Sequence, residues 1–279
     1  MNDLNRDTDL TPAYVLGHSD RELERLQMQA RLIDPITQRF FREAGIVSGM
    51  RVLDVGSGAG DVAFLAANIV GDSGEVVGVD RAAAALDTAR ARATARARRN
   101  VVFHQGDPGE MTFDKPFDAV IGRYVLMFQQ DPAAMLRKLA GHVRSGGVVA
   151  FHEIDWGGVE SIPPVPTLDR CFRWGAETMR LCGADTRMGT RLHSTFVGAG
   201  LSTPSMRLEA IIRGAANCSD LLHLVRELMA TLLPDMQRLG VASAAEVGLE
   251  TLLERMRDEA VATSSAVVGH YQIGAWCRV

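Results

Sequence analysis

The segment from Val52 to Asp61 constrains this chain more than any other, because it joins a short apolar strand to a glycine-rich loop. Gly56, Gly58 and Gly60 alternate along the loop, and Asp54 stands two residues before the first of them. Glycine reaches positive φ without a steric penalty and lets the backbone approach a ligand closely. The dinucleotide fingerprint is spaced G-x-G-x-x-G and receives a pyrophosphate, which an acidic side chain in the loop would repel. The segment therefore indicates a nucleoside-binding loop, with a spacing that differs from the dinucleotide fingerprint.

Four further strand patterns follow the loop, and helical stretches separate them. Glu75–Asp80 and Val101–Asp107 both end in an acid, while Phe117–Ile121 and Gly147–His152 form the fourth and fifth strands. Strict alternation of strands and helices predicts right-handed crossovers, a parallel sheet and a ligand at the carboxyl ends of the strands. At such an end, Asp80 can accept both hydroxyls of a ribose.

With these companions the chain resembles the class I S-adenosylmethionine-dependent methyltransferases, whose first motif is (Asp/Glu)-x-Gly-x-Gly-x-Gly. The resemblance is to small-molecule enzymes of ubiquinone and menaquinone biosynthesis and of natural-product tailoring, and covers residues 36–155 best. It implies an α/β fold with a Rossmann-like, seven-stranded, mostly parallel sheet and helices on both faces. It also implies S-adenosylmethionine as the cofactor, S-adenosylhomocysteine as the product and no metal. The ammonium and sulfonium of this cofactor suit an acidic loop.

The resemblance assigns cofactor contacts to the strand ends and the loops after them. In the family, the acid at the position of Asp107 faces the adenine amino group. The implied cofactor-binding residues are Asp54, Gly56, Ser57, Gly58, Gly60, Asp80, Arg81, Gly106, Asp107, Pro108 and Arg123.

A polar cluster after the fifth strand lies where this topology places the acceptor. A histidine such as His152 can take a proton at neutral pH, so we predict it as the catalytic base, with Glu153 and Trp156 binding the substrate. The alternative is that His152 only caps the strand and that Glu153 or Asp155 pairs with a surface arginine.

The segment before the predicted core suggests a lid. A helix is predicted over Asp20–Ala44, and the loop before it carries Tyr14 and His18. Tyr14 resembles the aromatic residue with which several small-molecule methyltransferases close their pocket, so we assign Tyr14 to catalysis and His18 to substrate binding. Packing at the helix end is the alternative for both residues.

The second half is predicted to complete the sheet with an antiparallel edge pair, Ser205–Ile212 and Ala266–Val279. Between them, Ser219–Ala262 reads as a helical insertion with too many leucines for one narrow apolar stripe. It is a core helix, a lid over an apolar acceptor or the interface of a homo-oligomer. The chain thus divides into an N-terminal helical lid (1–45), a cofactor-binding core (46–155) and an acceptor-pocket region (156–279).

Composition narrows the function classes. The net charge of −4 and the pI near 6.0 give no general attraction to nucleic acid, and no apolar run approaches the length of a membrane span. Within the arginine-rich run Arg81–Arg99, we place Arg90, Arg92, Arg96 and Arg99 on a solvated helix face, whereas Arg81 either lies along the adenosine or opens the helix. Four scattered cysteines and the lack of a secretory signal predict a cytoplasmic protein.

The predicted reaction is methyl transfer to oxygen, nitrogen or carbon of an apolar small molecule, in secondary metabolism or quinone-like biosynthesis. Such a transfer is an in-line displacement, so the protein mainly holds the acceptor close, aligned and dry. A protein or RNA methyltransferase is one alternative, which the missing Asn-Pro-Pro-Tyr motif after the fourth strand disfavours. A non-catalytic module that binds S-adenosylmethionine is the other.

Overall fold

The computed structural model describes residues 20–279, with the side chains of Arg25 and of residues 28–279. Tyr14 and His18 lie outside the described residues. The helices are α1 (Asp20–Glu43), α2 (Asp61–Val70), α3 (Ala83–Ala95), α4 (Pro132–Ala140), α5 (Pro166–Leu181), α6 (Met188–Gly198), α7 (Ser219–Arg238), α8 (Ala244–Val247) and α9 (Leu252–Thr263). The strands are β1 (Arg51–Val55), β2 (Glu75–Asp80), β3 (Val101–Gln105), β4 (Phe117–Arg123), β5 (Val143–Asp155), β6 (Glu160–Ile162), β7 (Ser205–Glu209), β8 (Ile212–Gly214), β9 (Ala266–Val268) and β10 (Tyr271–Arg278).

Seven strands form the main sheet in the order β3-β2-β1-β4-β5-β10-β7. The first five are parallel, and β10 runs antiparallel to both β5 and β7. Val55 pairs with Val79 on one side and Gly122 on the other, so the carboxyl ends of the central strands meet at one edge. This arrangement confirms the predicted fold class.

Alternation along the strands builds a core on each face of the sheet. On β1, Leu53 and Val55 join an apolar cluster that includes residues of α4, α5, α6, α7 and α9. Val52, which points the opposite way, joins a second cluster with α2 and α3. Helices therefore cover both faces, as the sequence predicts.

The predicted Val101–Asp107 strand ends at Gln105 and the predicted Phe117–Ile121 strand continues to Arg123, and three other strands differ more. The fifth continues past His152 to Asp155, because this part of β5 pairs with β10 from Tyr271 to Gly274. The two last predicted strands each break into a pair, β7 with β8 and β9 with β10. At the break Gly269 turns away from the main sheet, and its N–H donates to the Ile211 carbonyl at 2.9 Å. A small antiparallel sheet, ordered β6-β9-β8, results from the breaks.

The predicted helical insertion is present and consists of α7, α8 and α9. Helix α7 ends at Arg238, and Gly240, which follows it, has a φ of +70°. A capping box between Ser243 and Glu246 then opens α8. No helix among residues 20–279 is long and apolar enough to cross a membrane.

Helix α1 crosses the main sheet at a glycine. A Cβ atom added to Gly274 of β10 would lie 2.6 Å from Cγ and Cδ2 of Phe40, which is 2% exposed and cannot move aside. The missing side chain therefore lets α1 pack directly on the strand.

Gly274→Ala is expected to lower the free energy of unfolding by about 1–3 kcal/mol, because the added methyl overpacks this contact. Gly214→Ala on β8 is the matched control, since its Cβ would meet no heavy atom within 4 Å. Urea unfolding of both variants measures the difference, and equal stabilities would contradict the packing role of Gly274.

Candidate active site

A cavity of about 530 Å³ opens at the carboxyl ends of the parallel strands. Its polar end follows β1, β2 and β3 and is lined by Gly56, Ser57, Gly58, Asp80, Arg81, Gly106, Asp107 and Pro108. Its apolar end lies near β5, α5 and α7 and is lined by Trp156, Met179, Ile211, Leu221, Leu224, Val225, Leu228 and His270. Arg25, Gln29 and Ile33 of α1 also line the cavity.

The three glycines of the loop all have positive φ, but for different reasons. Gly58 (φ +50°) would place a Cβ with no protein atom within 4 Å, so that position faces open space. A Cβ at Gly60 would meet Phe64 and Phe103 at 2.9 Å, so this glycine serves helix packing. Gly60 does not line the cavity, whereas Gly56 and Gly58 do.

Asp80 at the end of β2 holds the glycine loop. Its Oδ2 accepts from the Gly58 N–H and its Oδ1 from the Ala82 N–H, both at 2.8 Å. Arg92 of α3 donates to the Ala59 carbonyl at 2.5 Å. The prediction of a solvated arginine face is therefore wrong for Arg92, whose side chain is only 18% exposed.

Asp107 and Arg81 close the polar end across the cavity from the loop. Arg81 Nη2 donates to Asp107 Oδ2 at 2.5 Å, and the Gly109 N–H donates to Asp107 Oδ1 at 2.9 Å. Burial acts to raise the pKa of Asp107, but these hydrogen bonds outweigh it, so the pKa lies below its usual value. Asp107 is therefore a carboxylate that accepts hydrogen bonds at neutral pH.

Asp54 lies beneath the glycine loop and does not line the cavity. Its side chain is 1% exposed, and neither carboxylate oxygen makes a hydrogen bond of standard geometry within the described residues, although the nearby Ala63 N–H acts to lower its pKa. Burial raises the pKa of Asp54 well above its usual value, and the charge of Arg123 offsets only part of that shift. Ser57 Oγ is likewise buried and unpartnered within the described part of the chain.

His152 occupies the centre of a buried hydrogen-bond chain. Its Nδ1 lies 3.0 Å from Thr37 Oγ1 of α1, and its Nε2 lies 2.9 Å from Gln272 Oε1 of β10. Gln272 Oε1 also accepts from the Tyr124 hydroxyl, so Nε2 of His152 carries the proton and Nδ1 accepts the Thr37 hydroxyl proton, for which the Ile33 carbonyl at 3.2 Å competes. Burial, with a contribution from Arg123, lowers the pKa of His152 to about 3. The ring is neutral and both its nitrogens are engaged.

Arg123 extends this chain to the N-terminal helix. Its Nη1 donates to Asp34 Oδ1 at 2.7 Å and to Thr37 Oγ1 at 3.1 Å. Burial raises the pKa of Asp34, and Arg123 opposes that shift. Arg123 lines the cavity, yet its guanidinium already binds two partners on α1.

Glu153 supports the segment after β4 instead of facing the cavity. Its Oε1 accepts from the N–H groups of Val125 and Leu126 at 2.9 and 2.8 Å, while Oε2 has no partner in residues 20–279. Burial raises the pKa of Glu153 to about 7, although the backbone donors act to lower it. Glu153 thereby fixes the loop that carries Tyr124 and Met127 to the cavity wall.

The structure thus brings together some predicted residues and separates others. Trp156 lines the apolar end, whereas His152 and Glu153 lie inside the longer β5 and do not line the cavity. Sequence reasoning missed Gln272 and His270, which contribute to the wall from β10 and the turn before it. The glycine before His270 was the available signal, since a glycine within a strand pattern often marks a break.

Comparison with known proteins places this geometry in a family. A family model described as a methyltransferase domain matches residues 46–184. The aklanonic acid methyltransferase DauC of Streptomyces sp. (strain C5) is 33% identical over 152 residues, or 54% of this chain and 67% of that protein. A 2-phytyl-1,4-naphtoquinone methyltransferase of Synechococcus elongatus is 39% identical over 105 residues, or 37% of this chain and 45% of that protein.

These matches reach two thirds of the first relative's length and less than half of the second's. Among solved structures, the YcgJ protein of Bacillus subtilis shares the fold, with a TM-score of 0.52 and 18% identity over 86% of this chain and 96% of that one. From its motifs, sheet order and relatives, the chain belongs to the class I S-adenosylmethionine-dependent methyltransferases.

Proposed function

We propose that this enzyme transfers a methyl group from S-adenosylmethionine to an apolar small molecule. The observation that carries the proposal is the continuity of the cavity: one end follows the glycine loop, and the other is walled by leucine, methionine and tryptophan. Ligand sites are typically concave, mainly apolar and fitted with few polar groups. The acceptor end has this composition.

The residues of the polar end fit the cofactor. Gly58 leaves open space beside the loop, and Asp80 and Asp107 present carboxylates from neighbouring strand ends. Asp54 lies behind the loop and outside the cavity wall, and its negative charge, when it is ionised, would favour a cationic ligand. We assign the ribose to Asp80 and the adenine edge to Asp107. When bound, the cofactor supplies an activated methyl group.

The names of the relatives favour a small-molecule acceptor over protein or RNA. One relative is named for aklanonic acid and the other for a phytylated naphtoquinone. Secondary metabolism or quinone-like biosynthesis is therefore the proposed setting. The accepting atom is oxygen, nitrogen or carbon.

The chain's own residues contribute mainly by holding the acceptor in a dry, rigid site. His152 is proposed as a positioning residue and no longer as the base, because both its nitrogens are engaged and it does not line the cavity. Glu153 is proposed to fix the loop after β4. An acceptor that enters already ionised needs no base, since alignment alone supplies much of the rate.

We propose that the segment before α1 forms a lid over the cavity. Tyr14 and His18 would cover the cavity from the segment before α1. Helix α1 itself lines the cavity with Gln29 and Ile33. We also propose that the chain divides at residues 45 and 155, that the protein is cytoplasmic and that it associates into a homo-oligomer. The free thiols of all four cysteines are compatible with a reducing compartment.

Cofactor binding should depend on Asp80 and Gly58. Asp80→Ala removes a carboxylate at the end of β2, and Gly58→Val fills open space at a backbone with φ of +50°. We expect each change to weaken S-adenosylmethionine binding at least about tenfold, as measured by calorimetry. Asp87→Ala, whose side chain is 74% exposed on α3, serves as the control. Unchanged affinity in both test variants would sink the assignment.

Acceptor binding should depend on the apolar wall. Incubating a library of phenols, quinols and amines with enzyme and cofactor, then detecting a gain of one methyl group by mass spectrometry, identifies an acceptor. Leu224→Glu should raise the KM for that acceptor about tenfold or more, because a charge would replace apolar contact. Leu181→Glu, at a leucine that is 42% exposed, should leave KM unchanged. Preference for a charged peptide or for RNA would overturn the proposal, as would release of no S-adenosylhomocysteine with any acceptor.

Stability should depend on pH through Glu153. Because the folded-state pKa is raised from 4.5 to about 7, the stabilisation is complete below pH 4.5 and is lost as pH rises through 7. Glu153→Gln mimics the protonated acid. From about pH 4.5 to pH 8, wild type should lose roughly 3 kcal/mol of unfolding free energy relative to this variant. Urea unfolding tests this, with the exposed Glu254→Gln as control, and a pH-independent difference would contradict it.

A further inference from the structure

Two polar atoms in the apolar end of the cavity are buried without a protein partner. Nε1 of Trp156 and Nε2 of His270 make no hydrogen bond with any described residue, and both side chains line the cavity. Leaving one such atom unpaired costs about 1–3 kcal/mol. Buried polar atoms in native proteins are nearly always paired, so a pair of exceptions in one cavity points to a ligand that supplies the partners.

Packing holds the two rings against each other. The ring centroids of Trp156 and His270 are 4.4 Å apart at an interplanar angle of 61°, and Phe172 meets His270 edge-on at 5.3 Å. Gly175 of α5 makes room for the indole, because a Cβ there would lie 2.9 Å from Trp156 Cζ3. The two unpaired atoms therefore belong to rigid neighbours in one wall.

The backbone on either side of His270 is fixed as well. The Gly269 N–H donates to the Ile211 carbonyl at 2.9 Å, and Gln272 Nε2 donates to the His270 carbonyl at 3.1 Å.

Burial lowers the pKa of His270 to about 4, against the opposing charge of Asp155. The imidazole is therefore neutral near pH 7 and has one nitrogen that can accept a hydrogen bond, whereas the indole N–H can only donate.

We propose that Trp156 and His270 together bind a hydroxyl group on the acceptor. A hydroxyl both accepts and donates, so its oxygen would receive the indole N–H while its proton is donated to Nε2 of His270, in the tautomer that carries the ring proton on Nδ1. The surrounding Met179, Ile211 and Leu221 would enclose an apolar ring, which makes a phenol or enol on a ring system the chemical class. This recognition role rests on the proposed apolar acceptor, and it requires no proton transfer.

Two matched probes test the pair. 1-Naphthol carries a hydroxyl, and 1-methoxynaphthalene keeps the oxygen acceptor but cannot donate. Equilibrium dialysis against the full-length protein saturated with S-adenosylhomocysteine measures both affinities. Wild type should bind 1-naphthol about three- to tenfold more tightly than the ether, which corresponds to one net hydrogen bond.

The variants separate the two contacts. His270→Phe keeps an aromatic ring, so it should weaken 1-naphthol about three- to tenfold, leave the ether within about twofold and abolish the preference. His270→Asn retains a polar side chain and should restore part of the preference. Trp156→Phe should weaken both probes alike, because both accept from the indole. Unchanged S-adenosylhomocysteine affinity in each variant shows that the fold and the cofactor end are intact.

The outcomes distinguish the inference from the proposed function. If wild type binds both probes equally, or if His270→Phe keeps the preference for 1-naphthol, the hydroxyl-binding pair is wrong and the apolar acceptor site stands. If S-adenosylhomocysteine binds but neither probe does, the apolar acceptor proposal fails and the inference fails with it.

Discussion

The cavity depends on the buried hydrogen-bond chain that runs through His152. Thr37, His152 and Gln272 join α1, β5 and β10, and Arg123 adds the end of β4. Thr37, His152 and Gln272 are almost fully buried, so losing one of them would leave its neighbour unpaired at a cost greater than a net hydrogen bond. These hydrogen bonds connect α1 to β4, β5 and β10. They therefore help to hold the backbone of the cavity walls in place.

Two buried acids, Asp54 and Glu153, lie behind the cavity wall and do not line the cavity. Asp54 and Glu153 are both nearly inaccessible, and Arg123 is the cation that opposes the raised pKa of Asp54. A carboxylate with few partners binds a cation strongly in a region of low dielectric, but it pays a desolvation cost while empty. A ligand with positive charge lowers the pKa of such an acid when it binds. An ionised Asp54 would therefore favour a sulfonium cofactor over a phosphate.

Much of the main sheet can be predicted from local pattern, because each of the first four parallel strands is a single apolar run and the glycine loop directly follows the first. The environment of His152 cannot, since its partners Thr37 and Gln272 are 115 and 120 residues away. A polar residue at the end of an apolar run looks like the end of a strand, and only backbone pairing with the distant β10 allows β5 to continue. The same limit hid His270: its flanking apolar residues read as one strand, and its exit from the sheet depends on the pairing of β9 with β6 and β8.

Two histidines of this cavity region show why partners, and not residue type, separate support from recognition. Burial makes both neutral, with pKa values of about 3 for His152 and about 4 for His270. Both ring nitrogens of His152 contact protein groups, so His152 contributes rigidity and has no nitrogen available to a substrate. His270 is held by ring packing and by its backbone, which leaves Nε2 without a partner in the described chain. Because methyl transfer requires alignment above all, a rigid wall with one free acceptor beside a free donor is the arrangement that fixes an acceptor's orientation.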